Sequence, residues 1–131
     1  MLWLFIPLAF LLGSIPFGLL LGKVKGIDIR EHGSGNIGST NVFRTLGKKS
    51  GLVCLLLDIL KGFFPIFLAR PFVPDDTTGN TIEVLTALAS ILGHNYSPWI
   101  GFKGGKGIAT TGGALLALMP AAVVLLTIIF A

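Results

Sequence analysis

Charged residues and cysteines are scarce in this sequence of 131 residues, and each scarcity excludes a class of protein. Asp, Glu, Lys and Arg make up 12% of the chain and hydrophobic residues 53%, whereas soluble domains carry about 25% charged residues. Water is therefore not the main solvent of this chain. The single cysteine, Cys54, excludes a disulfide framework or a cysteine-based metal site within the chain. Because Cys54 lies in an apolar run, we expect it to pack as a small hydrophobic residue.

Basic residues outnumber acidic ones, but their distribution does not indicate a nucleic-acid-binding protein. The net charge is +4, and of the ten Lys and Arg all but Lys61 fall in short polar segments between long apolar runs. A nucleic-acid-binding domain would instead spread them over one basic face. The pattern favours membrane lipids with anionic head groups, and ligands that carry phosphate, as partners.

Four apolar runs can be marked off along the chain, at residues 2–21, 51–69, 82–100 and 108–131. Each approaches or exceeds the roughly 20 residues that a helix needs to cross the hydrocarbon of a bilayer. No Lys or Arg precedes Lys23, which argues against a cleaved secretion signal. We predict an all-α, polytopic transmembrane helical bundle with about four spans, forming one integral membrane domain over residues 1–131. Pro7, Gly13 and Pro16 predict kinks in the first span.

The basic residues also predict the orientation in the membrane. Segment 22–50 carries six Lys and Arg and turn 101–107 carries two, whereas connection 70–81 has only Arg70, beside Asp75 and Asp76. Because cytoplasmic loops are enriched in Lys and Arg, we expect the first and third connections in the cytoplasm and the N-terminus outside. Both glycine-rich segments then share the cytoplasmic face.

Two charged residues, Asp58 and Lys61, lie in the middle of the second apolar run. Each charge at that depth costs about 2.5–3.5 kcal/mol on insertion scales. Their spacing of three places them on one helix face, where they can pair. The sequence leaves open whether they form a structural ion pair or act directly at a site.

The first glycine-rich segment, residues 33–47, reads GSGNIGSTNVFRTLG and is predicted to form a cytoplasmic loop. Its glycines allow positive φ angles, its backbone N–H groups can converge on an anion, and Arg44 offers two parallel donors to phosphate. A flexible hydrophilic linker is the alternative. Gly33, Gly35 and Gly38 match a dinucleotide-binding fingerprint, but no strand precedes them, so that interpretation fails.

The second glycine-rich segment, residues 93–113, reads GHNYSPWIGFKGGKGIATTGG. It is not a nucleotide P-loop, because Gly107 stands where Ser or Thr is required. Lys103 and Lys106 nevertheless lie among glycines directly before a predicted helix, whose N-terminal amides favour negative charge. We expect a second phosphate-binding segment, with a basic turn that anchors the chain to the membrane as the alternative.

The two histidines, His32 and His94, differ in their surroundings. His94 is a candidate general base, a hydrogen-bond donor to phosphate, or simply a residue at a helix end near the interface. His32 is expected at a solvated edge. No carboxylate pair or HExxH motif faces the glycine-rich segments, so we predict no metal and no cofactor.

Three successive motifs carry a resemblance to a known family. Residues 34–47 (SGNIGSTNVFRTLG), 57–62 (LDILKG) and 93–110 (GHNYSPWIGFKGGKGIAT) resemble those of the bacterial acyl-phosphate:glycerol-3-phosphate acyltransferases. The resemblance implies transfer of a fatty acyl group from acyl phosphate to the primary hydroxyl of sn-glycerol-3-phosphate. The products are lysophosphatidate and phosphate, and the reaction opens phospholipid synthesis at the bacterial cytoplasmic (inner) membrane.

The resemblance also implies roles for individual residues. The expected catalytic residues are Ser34, Arg44, His94 and Lys106. Those expected to bind substrate phosphate are Gly35, Asn36, Gly38, Thr40, Asn41, Lys103, Gly104, Gly105 and Gly107. Members of the family continue beyond a fourth span, so we expect this chain to correspond to their N-terminal part, and its activity alone is open. A membrane transporter or binding subunit for an organic phosphate is the alternative function.

Overall fold

The computed structural model describes residues 1–130, and these residues form helices joined by turns, with no strand among them. The α-helices within this range are α1 (Phe5–Gly13), α2 (Phe17–Val24), α3 (Ser39–Leu46), α4 (Lys48–Ala69), α5 (Thr77–Asn95), α6 (Ile108–Leu118) and α7 (Pro120–Phe130). Short 3₁₀ turns occur at Leu2–Leu4, Ile29–Glu31, Arg70–Phe72 and Pro98–Ile100. The predicted all-α class is confirmed.

The outer surface of the bundle is apolar, while small residues lie inside. Leu8, Leu56 and Leu88, from three different helices, are 53%, 50% and 50% exposed, whereas Ala9 and Ala87 are 0% and 4% exposed. A soluble protein rarely exposes apolar patches of this extent. Small residues between helices and large apolar ones outside are typical of helices packed within a bilayer.

The first apolar run is broken into α1 and α2 between Gly13 and Pro16, where these two residues predicted a kink, whereas Pro7 lies within α1. Pro16 disfavours helical geometry at Ile15 and cannot donate a backbone hydrogen bond. The carbonyl oxygens freed at the break are taken up by other elements. Ser97 Oγ donates to the Ser14 oxygen at 2.6 Å, and Lys61 Nζ donates to the Ile15 oxygen at 2.8 Å.

The helices assigned to the third and fourth runs differ from the predicted bounds of 82–100 and 108–131. Helix α5 begins earlier, because Asp76 caps it by accepting a hydrogen bond from the Gly79 amide at 3.0 Å. It also ends earlier, and Pro98 follows in a 3₁₀ turn. The fourth run is interrupted at Met119, directly before Pro120. Ala131 lies outside the described residues.

Only two helical segments, Leu2–Val24 and Lys48–Phe72, are by themselves long and apolar enough to cross a membrane among residues 1–130. Helices α6 and α7 are shorter and apolar. The number of four crossings therefore stays a prediction.

Glycines allow the helix backbones to approach closely where α1 meets α5 and where α4 meets α6. A methyl group added at Gly93 would collide with the Phe10 carbonyl, and one added at Gly62 would collide with the Thr110 carbonyl. These contacts fix the positions of two helix ends, the C-terminus of α5 and the N-terminus of α6. The second glycine-rich segment connects those two ends.

Cys54 is fully buried on α4 and packs with Leu19, Ile29, Ile37 and Val42. The expectation that it packs as a hydrophobic residue is confirmed. Its Sγ also lies 3.6 Å from Asp58 Oδ2, so this apolar cluster adjoins the buried charged pair.

Candidate active site

A polar cavity of about 250 Å³ lies between the two glycine-rich segments. It is lined by Ser34, Asn36, Gly38, Ser39, Thr40, Asn41, Arg44, Asp58, His94, Lys106, Gly107, Ile108 and Ala109. All four expected catalytic residues are therefore brought together, although the segments are some fifty residues apart in the chain. The lining does not include four of the expected phosphate-binding residues, Gly35, Lys103, Gly104 and Gly105.

The first wall of the cavity is a tight turn followed by a helix, whereas the sequence predicted a loop over residues 33–47. Helix α3 begins at Ser39 and carries Arg44. The glycines lie only around it, and Gly47, with a φ of 88°, ends the helix. The eight residues between Gly38 and Gly47 include neither Gly nor Pro, so they can form two helical turns.

Asn41 shapes this wall from within. Its side chain is 2% exposed, and the two hydrogens of its Nδ2 are shared among the carbonyl oxygens of Ile29 (3.2 Å), His32 (3.0 Å) and Asn36 (2.9 Å). Its Oδ1 accepts from the Ser34 amide at 3.0 Å. Because both ends of the amide are engaged by the backbone, Asn41 holds the turn in shape and has little capacity left for a ligand.

The second wall runs from the end of α5 to the start of α6. The amides of Gly104 and Gly105 donate to the carbonyl oxygens of Asn95 (2.9 Å) and His94 (3.1 Å). They thereby satisfy carbonyl groups that the end of a helix leaves unpaired. Both amides are thus engaged by the backbone, and the expectation that they cradle phosphate stays a prediction.

The glycine at position 105 is required by the neighbouring histidine. A methyl group added there would collide with His94 Nε2, and one added at Gly104 would collide with the His94 carbonyl oxygen. Gly104 and Gly105 therefore leave the space that His94, at the end of α5, occupies. Of the two lysines in this segment, Lys106 lines the cavity and Lys103 does not.

Two cations face the cavity, Arg44 from the first wall and Lys106 from the second. Within residues 1–130 neither of them forms a salt bridge. Short polar side chains, including Ser34 and Thr40, surround them. Such a cavity suits a ligand with negative charge and several hydrogen-bond acceptors.

A buried charged pair lies beneath the cavity. Lys61 Nζ is 2.8 Å from Asp58 Oδ1, and the two side chains are 4% and 3% exposed, which confirms the predicted pairing. Asp58 also lines the cavity, with its Oδ1 at 3.8 Å from His94 Nδ1. The direct role that the sequence left open is thus geometrically available to Asp58.

Ser39, Ile108 and Ala109 also line the cavity, although sequence reasoning did not select them as site residues. Ser39 lies inside the first motif, so its polar side chain was a usable signal. Ile108 and Ala109 carry no chemical signal, and only the start of α6 at Ile108 places them there.

Asp28 stabilises the 3₁₀ turn that precedes the first wall. It caps the 3₁₀ turn Ile29–Glu31 by accepting from the Arg30 amide, and it also accepts from the Arg30 side chain at 2.9 and 2.6 Å. The hydrogen bond from the Arg30 side chain is the largest cause that lowers the pKa of Asp28 from 3.8 to about 2. His32 is exposed, as expected, and its Nδ1 lies 2.9 Å from the Asp28 carbonyl oxygen.

Among residues 1–130, no three His, Cys, Asp or Glu side chains are grouped so as to hold a metal ion. That the protein uses neither metal nor cofactor stays a prediction.

The fold and the cavity together define an integral membrane protein of helices with a cationic, polar site that joins two glycine-rich segments. The family model described as glycerol-3-phosphate acyltransferase matches residues 3–131. The chain belongs to this family.

Curated relatives carry the same description. The glycerol-3-phosphate acyltransferase of Desulfotalea psychrophila is 48% identical over 129 residues, which cover 98% of this chain and 66% of the relative. That of Thermotoga petrophila is 50% identical over 117 residues, which cover 88% of this chain and 58% of the relative. The chain therefore spans about three fifths to two thirds of the length of these relatives.

Two solved structures are similar to this one. Both are crystal structures of PlsY (YgiH), described as an integral membrane glycerol 3-phosphate acyltransferase. The glycerol 3-phosphate form superposes with a TM-score of 0.87 at 44% identity, covering 97% of this chain and 62% of that one. The lysophosphatidic acid form gives 0.83 at 45% identity, covering 96% and 61%. These similarities confirm the family resemblance and the predicted membrane fold.

Proposed function

We propose that this protein transfers a fatty acyl group from acyl phosphate to the primary hydroxyl of sn-glycerol-3-phosphate, giving lysophosphatidate and phosphate. The observation that carries the proposal is the cavity in which Arg44 and Lys106, from the two glycine-rich segments, face the same space. Both substrates bear a phosphate, which suits two cations on opposite walls. The apolar outer surface of the bundle suits a substrate with a long acyl chain.

In this proposal Arg44 and Lys106 each engage a substrate phosphate, and Ser34, Asn36 and Thr40 add neutral hydrogen bonds. Arginine offers phosphate a planar pair of donors, and lysine a mobile point charge. The acyl carbonyl of acyl phosphate is already activated, because phosphate is a good leaving group. The protein then acts by holding the two substrates in line and by stabilising charge, without a covalent nucleophile of its own.

The reaction balances without an additional reactant. The primary hydroxyl oxygen of glycerol-3-phosphate attacks the acyl carbonyl carbon, and a tetrahedral intermediate forms. When it collapses, the bond from that carbon to the phosphate oxygen breaks and phosphate leaves. The hydroxyl proton passes first to His94 or to an oxygen of a substrate phosphate. The proton finally resides on the released phosphate.

We also propose where the site lies in the cell and on which side of the membrane. The Lys and Arg of segment 22–50 and of turn 101–107 support a cytoplasmic position for both walls of the cavity. We assign the protein to the bacterial cytoplasmic (inner) membrane, where membrane lipids surround it. The relatives' structures in glycerol 3-phosphate and lysophosphatidic acid forms support the assignment of substrate and product.

One feature of the fold, the break in the helix between α1 and α2, would favour the alternative function of a transporter. Discontinuous helices in transporters leave backbone groups free to coordinate a substrate or ion. Here the freed carbonyl oxygens of Ser14 and Ile15 accept hydrogen bonds from Ser97 and Lys61. The break is therefore occupied, and the acyltransferase is the better supported function.

The test is phosphate release from palmitoyl phosphate by the purified protein in lipid, with and without glycerol-3-phosphate. Arg44→Ala and Lys106→Ala each remove a charge from the cavity, and we expect each to lower kcat/KM by about a hundredfold, as for loss of a transition-state donor. Lys49→Ala is the matched control, because Lys49 is exposed and lies outside the cavity. Release that does not depend on glycerol-3-phosphate, or that survives both substitutions, would contradict the proposal.

Because the relatives are longer, the assay includes a second form. In it the chain is extended by the part of the Thermotoga petrophila relative that the match does not cover. Turnover by either form supports the reaction. Uptake of glycerol-3-phosphate into sealed vesicles without lysophosphatidate would instead support the transporter.

A further inference from the structure

We infer that Asp58 is a positioning residue that fixes the orientation and the protonated nitrogen of His94, and that Lys61 holds Asp58 in place for this purpose. The inference rests on the proposed function, since it assigns His94 a part in the acyl transfer. The sequence left Asp58 and Lys61 either as a structural ion pair or as members of a site, and the geometry points to the second role.

The three side chains form a connected group at the base of the cavity. Asp58, Lys61 and His94 are 2%, 6% and 4% exposed. Asp58 Oδ1 is near both partners, 2.8 Å from Lys61 Nζ and 3.8 Å from His94 Nδ1. A structural pair alone would be expected to face neighbouring helices, whereas Asp58 and His94 both line the cavity.

Electrostatics then select one form of the His94 ring. A neutral imidazole carries its proton on one nitrogen and a lone pair on the other. A lone pair at Nδ1 would face the carboxylate and be repelled, while a proton there would be attracted. At 3.8 Å the two atoms are beyond direct hydrogen-bond distance, so the carboxylate acts as an orienting charge. Nε2 is left without a proton, as an acceptor requires.

The backbone contacts this group of side chains on two further sides. Nε2 lies against Gly105, where a methyl group would collide with it. On the far side, Lys61 Nζ donates to the Ile15 carbonyl oxygen at 2.8 Å, at the break between α1 and α2. The position of the Asp58 carboxylate is thus tied to a fixed point of the backbone, and the ring of His94 is held between the carboxylate and the second glycine-rich segment.

The central variant neutralises both charges, Asp58→Asn with Lys61→Met, because removing one charge alone would leave the other buried and unpaired. We expect this double variant to fold and to lose ten- to a hundredfold in kcat, with the KM for glycerol-3-phosphate within threefold of the original value. In a His94→Gln background the same double substitution should cause no further loss. The control is Arg70→Met with Glu83→Gln, an ion pair away from the cavity.

A merely structural pair would give different results. The double variant would then keep its kcat once charge is balanced, or its loss would add fully to that of His94→Gln. Either outcome overturns the inference.

A second readout does not need turnover. Nitrogen NMR of ¹⁵N-histidine-labelled protein reports which ring nitrogen carries the proton, with His32→Gln to assign the other signal. We expect His94 to be protonated at Nδ1 in the unsubstituted protein, and to become a mixture in the double variant. Protonation at Nε2 in the unsubstituted protein would overturn the inference even if no variant folds. If neither form of the protein turns over, the proposed function fails, and this spectrum still decides the positioning of His94.

Discussion

Asn41 provides the sharpest distinction between a residue that binds substrate and one that shapes the site. Its substitution by alanine removes the hydrogen bonds to the Ile29, His32 and Asn36 carbonyls and from the Ser34 amide. A net hydrogen bond contributes about 0.5–1.5 kcal/mol, and less where water can replace it. Only the bond to the Ile29 oxygen is fully buried. The four together therefore stabilise the turn by about 2 kcal/mol.

A loss of about 2 kcal/mol raises the equilibrium constant for local opening about thirtyfold, since 1.36 kcal/mol is a factor of ten. We expect the amides around Ser34 to exchange with deuterium about thirtyfold faster in Asn41→Ala, in the absence of any substrate. The matched control is Asn36→Ala, which loses a single bond, the one its Oδ1 accepts from the Gly38 amide at 2.8 Å. Its effect should be severalfold smaller.

An Asn41→Ala variant that abolishes activity while leaving amide exchange around Ser34 unchanged would refute a shaping role for Asn41. That result would make Asn41 a direct ligand of substrate, as the sequence first suggested. Accelerated exchange together with weakened activity is the predicted outcome.

Three further predictions concern the second wall and Asp28. Lys106→Ala should lower kcat/KM at least tenfold more than Lys103→Ala, because only Lys106 lines the cavity; steady-state kinetics of the two variants decide this. Gly105→Ala should lower kcat at least tenfold by displacing His94, and should perturb the histidine ¹⁵N spectrum. Because the pKa of Asp28 is lowered to about 2, its contribution to the stability of the fold is complete above about pH 4 and is lost as the pH falls toward 2. An NMR titration of its carboxyl should show a midpoint near 2, and a midpoint near 3.8 would contradict the ion pair.

The helical membrane fold could be predicted from the sequence because long apolar runs dominate the energetics of a chain in lipid. The bounds of the helices could not, because single residues decide them. Asp76 starts α5 five residues before the apolar run that predicted it, and Pro120 divides the last run. Composition averages over such positions, whereas a cap or a proline acts at one backbone group.

Most of the residues that line the cavity could be predicted from the sequence, but the contacts they make there could not. Serine, asparagine, arginine and lysine in glycine-rich segments signal anion binding by their chemistry alone. What Asn41, Gly104 and Gly105 do depends on which backbone atoms meet, and this is decided by the packing of α5 and the turn before α3. Asp58 was recognisable as half of an ion pair, but its distance to His94 arises from two helices that are far apart in sequence.

The most direct test of the central claim is to follow the oxygen atom of the nucleophile. Palmitoyl phosphate and glycerol-3-phosphate labelled with ¹⁸O at the primary hydroxyl would be incubated with the protein in lipid, in its present and extended forms. Mass spectrometry of the lipid product should then find lysophosphatidate with the label retained in the ester and unlabelled inorganic phosphate. Palmitate and phosphate without any lysophosphatidate, in both forms, would contradict the acyltransferase assignment.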